Sequence, residues 1–296
     1  MFNRALYNKN NFLDSITNID ILSCKNKIKI INIPYSNLSQ LPNLDEFINL
    51  EILYCNNNKL TQLPKLPINL KYLYCENNKL IQLSKLPNSL IKLNCDNNKL
   101  TQLPKLPINL SILCCDNNKL TQLPKLSINL LTLSCENNEL TQLPKLSINL
   151  KNLYCNNNKL KQIPDLPDSL IELNCNDNLL IELPELPSNL TYLYCESNKL
   201  TQLPELPINL NHLYCHYNNI YKFPNLHKLQ KLNILYSFNN KLNTLPKSIL
   251  YCKNLLTYKK YKLYTYINKL NYLLNYHIKN YYYYNIMKYY NCKHLK

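Results

Sequence analysis

Leucine marks a steady beat along most of this chain. The pattern L-x-x-L-x-C-x-x-N-x-L recurs every twenty residues from Leu50, Leu70, Leu90, Leu110, Leu130, Leu150, Leu170 and Leu190, with looser units at Ile28, Leu210 and Leu232. A fixed period of this length means stacked copies of one small unit, because no unit can bury its apolar face alone. Within a unit, Leu53 and Cys55 alternate with Ile52, Tyr54 and Asn56, the period-two signature of a strand with one face buried. Twenty residues cannot hold a full crossover helix between parallel strands, and Pro64 and Pro67 would break one there. The return path LTQLPKLPINL is therefore expected to be extended, close to polyproline II, and free of ladder hydrogen bonds.

Two columns of the repeat are predicted to be internal. Asn58, Asn78, Asn98, Asn118, Asn138, Asn158, Asn178, Asn198, Asn218 and Asn240 align. An amide both donates and accepts, so this column can satisfy backbone groups where each strand turns into its return path. Cys55, Cys75, Cys95, Cys115, Cys135, Cys155, Cys175, Cys195 and Cys215 form the second column, and cysteine is a small residue that buries readily. Neighbouring strands hold Cβ atoms about 4.8 Å apart and a disulfide wants about 3.8 Å, so the column reads as packed thiols. Thiols in a line do not offer zinc a tetrahedron.

These motifs resemble the leucine-rich repeat family, with cysteine where that family usually has leucine or valine. The phrase L-P-x-L-P-x-x-L-x-x-L followed by N-x-L-T is similar to the short twenty-residue class of bacterial effectors that enter host cells. The resemblance implies an α/β leucine-rich-repeat solenoid (horseshoe): a parallel β-sheet on the concave face, an extended convex side and a C-terminal helical cap. Expected divisions are an N-terminal cap at 1–27, eleven repeat units at 28–254, eight of them of twenty residues, and a Tyr/Lys-rich cap or tail at 255–296. Leu263, Ile267, Leu270, Leu274, Ile278 and Tyr281 share one helical face in that last segment.

Composition narrows the function. Hydrophobic residues make up 46% of the 296, enough for a continuous core, while glycine is absent. Its absence argues against the Rossmann turn, the P-loop and the nucleophile elbow, all of which need close backbone approach. The segment 1–20 lacks the apolar run of a signal peptide, and no stretch of eighteen apolar residues occurs, so an intracellular, cytoplasmic location is expected. Thirteen cysteines, an odd number, fit reduced thiols there. Tryptophan is absent while Asn, Lys, Ile, Tyr and Leu are abundant, a composition that resembles proteins of amoeba-infecting giant DNA viruses or of other AT-rich genomes; a viral origin would make the location the host cytoplasm.

Charge is divided along the chain. Residues 1–205 carry 20 Lys+Arg against 18 Asp+Glu, whereas residues 206–296 carry 14 Lys and no carboxylate. The tail 253–296, with 12 Tyr and 9 Lys, offers nucleic-acid or anionic-membrane attachment as an alternative function.

Outward strand positions form the expected binding surface, since the concave face of this family usually takes a protein partner. Tyr54, Tyr72, Tyr74, Tyr154, Tyr192, Tyr194 and Tyr214 supply aromatic contact area suited to interface anchors. Glu76, Asp96, Asp116 and Glu136 stack in successive units and repel one another, which invites a basic partner or metal ion unless neighbouring lysines relieve the field. Lys79, Lys99 and Lys119 recur three residues later and are expected to do so as a solvated charge ladder, and any selection by this surface is expected to be for a basic peptide segment. His212 and His216 lack an evident third metal ligand, and Cys114 faces outward with no evident base or cationic neighbour. No catalytic set, metal or cofactor is expected. The reading is a monomeric, non-enzymatic protein-binding scaffold; the alternative is a host-directed effector or a substrate-recognition subunit of the ubiquitin system. Cys252 and Cys292 lack the motif that surrounds the catalytic cysteine of effector ligases.

Overall fold

A computed structural model describes residues 5–7, 25–226 and 228–242. The chain divides into two compact units, Met1–Leu255 and Leu256–Lys296, and the described residues belong to the first. The expected C-terminal helix and the Tyr/Lys-rich segment lie outside them, as does most of 1–27.

Among the described residues twelve three-residue strands make one sheet: β1 Ala5–Tyr7, β2 Ile30–Asn32, β3 Ile52–Tyr54, β4 Tyr72–Tyr74, β5 Lys92–Asn94, β6 Ile112–Cys114, β7 Thr132–Ser134, β8 Asn152–Tyr154, β9 Glu172–Asn174, β10 Tyr192–Tyr194, β11 His212–Tyr214 and β12 Ile234–Tyr236. They follow one another in sequence order, each parallel to the next. The register is one repeat, Leu53 opposite Leu73 and Leu73 opposite Leu93, so identical repeat positions stack. Eleven of the strands fall one to each unit of the leucine pattern, and β1 extends the same sheet from within 1–27. This is a solenoid with one strand per coil.

The interior is a run of identical layers. The central strand leucine, the cysteine two residues later, and the leucines that open the strand and the return are all fully buried, as Leu93, Cys95, Leu90 and Leu100 show. The thiols do more than fill space: Cys95 Sγ, for one, donates to Cys114 O at 3.3 Å, the same carbonyl that takes the Cys95 N–H at 2.9 Å. Seven other column thiols repeat this contact, among them Cys55 to Tyr74 O and Cys175 to Tyr194 O. Burial pushes the column thiols well above their ordinary range, so they stay protonated and able to donate.

The asparagine ladder is present and fully engaged. Asn118 Nδ2 donates to the carbonyls of Cys95, Cys115 and Asp116 at 3.1, 3.2 and 3.0 Å, and Oδ1 accepts the Leu100 N–H at 2.9 Å. One amide thereby ties its own coil to the previous one at the buried turn, and carbonyls such as Cys95 O take the amides of two successive coils. The residue before it explains why asparagines come in runs. Asn57, Asn77, Asn97, Asn117, Asn137, Asn157 and Asn239 have φ of 52–56°, with Asp177, Ser197 and Tyr217 in the same place in their coils. In a chain without glycine, asparagine is the residue that enters the left-handed region most easily.

The return is extended as its prolines require, and Leu103 and Leu106 pack inward. Among the described residues its backbone is mostly free of ladder bonds, with an isolated bridge between Gln202 and Lys222. A turn closes each coil, as Leu110 N–H bonds Pro107 O at 3.1 Å. Beside it runs a second, exposed ladder: Asn109 Nδ2 donates to Asn88 O at 3.0 Å, and Asn129 and Asn149 to Ile108 O and Ile128 O. Where serine replaces the second proline, its hydroxyl joins in; Ser127 Oγ bonds Ile108 O at 2.6 Å.

Candidate functional site

The first and third residues of each strand, and the residue two further on, point away from the core. One-repeat register places equivalent residues about 4.8 Å apart, so this face consists of three side-chain columns. All seven predicted tyrosines lie on it, half-buried. They divide into groups. Tyr54 and Tyr74 stack at 4.6 Å near Tyr72, and Lys92 Nζ sits 4.9 Å from the Tyr74 ring centroid. Tyr194 and Tyr214 lie at 5.0 Å beside Tyr192, which stacks on His212 at 5.0 Å. Tyr154 belongs to neither patch: its hydroxyl donates to Glu172 Oε2 at 2.8 Å, and burial followed by that carboxylate pushes the phenol up to about 12.

Glu76, Asp96, Asp116 and Glu136 are brought together, but not as a solvated ladder. They are half-buried, and among the described residues they form no ion pair. The expected relief by Lys79, Lys99 and Lys119 is absent because those side chains are exposed beyond the left-handed turn; Lys119 lies instead in the field of Glu139. Partners are found along the column itself. Asp96 Oδ1 accepts the Asp116 N–H at 2.7 Å, and Asp116 Oδ1 accepts the Glu136 N–H at 2.7 Å together with the Ser134 hydroxyl at 2.8 Å. Burial and then neighbouring carboxylates raise Asp96 to about 7. Glu76, Asp116 and Glu136 are raised chiefly by burial, and Glu196, in the same column, reaches about 7 for that reason. This is a column that binds protons more readily than free carboxylates do.

The remaining candidates fall short of chemistry. Cys114 is half-buried and pushed up to about 12 by burial, then by Asp96 and Asp116. It does have a cationic neighbour, Lys92, which the two carboxylates outweigh. His212 and His216 are both lowered by burial, and each holds a buried Nδ1 without a hydrogen-bond partner among the described residues. His216 stacks on Phe238 at 4.5 Å. Among the described residues no group of three metal-ligating side chains occurs.

Three features of this face escaped the sequence reading. The aromatic patch at its end continues through Tyr236, 4.7 Å from Tyr214, to Phe238. Lys92 and Glu172 each meet a tyrosine eighteen residues earlier. The relation is diagonal, one coil on and two residues back, and only the exact register reveals it.

A one-strand-per-coil parallel solenoid with an asparagine turn ladder defines a class of repeat proteins. The chain belongs to the leucine-rich repeat family. No family model matches it and no curated protein sequence matches it, but solved structures do. YopM from Yersinia enterocolitica WA-314 is 32% identical with a TM-score of 0.72, over 78% of this chain and 55% of that one. YopM of Yersinia pestis, a leucine-rich effector protein, is 30% identical with a TM-score of 0.52, over 78% and 83%. InlJ from Listeria monocytogenes, whose functional domain includes a cysteine ladder, is 28% identical with a TM-score of 0.66, over 79% and 54%. This chain thus spans about half the length of the first and the last of these.

Proposed function

We propose that this protein is a non-enzymatic recognition scaffold that binds a protein partner on its strand face. A basic segment lies along Glu76, Asp96, Asp116 and Glu136, between tyrosine patches that anchor the contact. The observation that supports this reading is the column itself: four half-buried carboxylates, one coil apart, with no ion pair among the described residues. Rings at both ends already pack on a neighbouring ring, Tyr54 on Tyr74 and Tyr192 on His212, so ordering the surface on binding costs little entropy. Likeness to YopM, a leucine-rich effector protein, supports a host-directed role, and sealed, unpaired thiols suit a reducing compartment such as cytoplasm.

Replacing Tyr72, Tyr74 and Tyr154 together by alanine removes aromatic anchors without touching the core. Partner capture from host-cell extract is expected to fall at least tenfold in that variant and in Asp96→Asn/Asp116→Asn, with the circular dichroism spectrum unchanged. Equal capture by the variants and the parent chain would contradict the reading.

A further inference from the structure

Tyr154 and Glu172 repeat, with opposite charge, a contact made elsewhere on the same face. Near the start of the sheet Tyr74, the last residue of β4, carries the Lys92 ammonium over its ring at 4.9 Å. The chain supplies that cation itself. Tyr154 ends β8 and Glu172 begins β9, the same diagonal relation, yet a carboxylate now stands where the ammonium stood. The Tyr154 hydroxyl holds Glu172 Oε2 at 2.8 Å, and Asn152 Nδ2 approaches that oxygen at 3.4 Å. Among the described residues Glu172 has no ion-pair partner.

Beside this pair the aromatic column is interrupted. Asn174 follows Tyr154, and Tyr194 follows Asn174. Asn174 turns its Oδ1 back to the Asn176 N–H at 3.3 Å, which keeps the amide against its own coil. Tyr194 has one ring face against Tyr214 at 5.0 Å, leaving the other toward the interruption. The two tyrosines stand two strand spacings apart, about 10 Å. A cation midway lies about 5 Å from each ring, within the ~6 Å reach of a cation–π contact. Glu172 is near enough to be felt at Tyr194, whose phenol is raised by burial and then by that carboxylate.

We propose that the slot formed by Tyr154, Glu172, Asn174 and Tyr194 seats an arginine side chain of the protein partner. The inference rests on the strand-face reading above and names the contact that anchors it. Arginine fits better than lysine: its planar guanidinium slides between two rings while presenting N–H groups to the carboxylate. Tyr74 is not a second such seat, because Lys92 occupies it and repels another cation.

The test uses the full chain at physiological salt and a fluorescein-labelled Gly/Ser peptide with three arginines, beside its citrulline counterpart of equal shape and no charge. The arginine peptide is expected to bind at least tenfold more tightly than the citrulline peptide. Glu172→Gln keeps an acceptor for the Tyr154 hydroxyl and is expected to erase that preference. Glu185→Gln, an exposed carboxylate of the return, is expected to preserve it. Wild-type binding of the arginine peptide by Glu172→Gln, or no preference for arginine in the parent chain, would overturn the slot. Asp116→Asn separates the two readings. A loss there with Glu172→Gln unaffected sinks the slot and leaves the carboxylate column standing; the reverse pattern keeps the slot and removes the column.

Discussion

At the eighth residue of each coil the backbone passes through the left-handed region, and the side chain found there shows how this chain manages without glycine. Asparagine holds the place in most coils, and Ser197 stands at φ 52° in another. Serine gains less there than asparagine, and a β-branched side chain clashes. Ser197→Asn is expected to stabilise the protein by up to about 1 kcal/mol, and Ser197→Val to destabilise it by about 1–2 kcal/mol, read from urea midpoints. The carboxylate column makes a second prediction at this scale. Asp96 titrates at about 7 in the folded chain against an ordinary value near 4, so the folded state holds a proton that the unfolded state has released. Its stabilising contribution is complete below about pH 4 and is lost as pH rises through about 7. His212 and His216, lowered by burial, contribute with the opposite sign, losing stability as pH falls. Comparing the parent chain with Asp96→Asn at pH 5 and pH 8 isolates the carboxylate: the decline in midpoint toward pH 8 is expected to flatten in the variant. An unchanged slope would contradict the burial of Asp96.

Within one coil the inner and outer amides look alike in sequence and differ in consequence. Asn118→Ala strips partners from the Leu100 N–H and from carbonyls of two coils at a buried turn, with an expected cost of about 3 kcal/mol. Asn129→Ala breaks an exposed bond to Ile108 O that water replaces, and the expected cost is below about 1 kcal/mol. Thermal and urea unfolding of the two variants measure the contrast. The same contrast marks what sequence could disclose. Asn118 and Cys115 were legible because a column of one residue type has one structural explanation, repeated. Asn117 was hidden in plain view: three asparagines in a row do not say which takes the left-handed turn. Glu172 was hidden too, since its partner Tyr154 depends on the diagonal between coils rather than on any spacing within one. Sequence spacing alone does not show that Lys99 and Lys119 leave Asp96 and Asp116 unrelieved, because it is the left-handed turn at Asn97 and Asn117 that swings them away from the strand face.

Among the described residues, each strand pairs with the strands before and after it in sequence, as a stack of repeats requires. Stability is then carried by interfaces between coils: leucine layers, thiols on carbonyls and the asparagine ladder. That regularity also creates the surface, since a register constant to one repeat lines equivalent side chains into columns of tyrosine and carboxylate. Hydrogen exchange resolved to single amides tests this account most directly. Bonded amides such as those of Cys95, Asn97, Lys99 and Leu100 are expected to exchange slowly, while Thr101, Gln102, Leu103 and Lys105 exchange fast, the contrast returning every twenty residues. Protection spread evenly through the return segments, or missing from the cysteine and leucine amides, would contradict it.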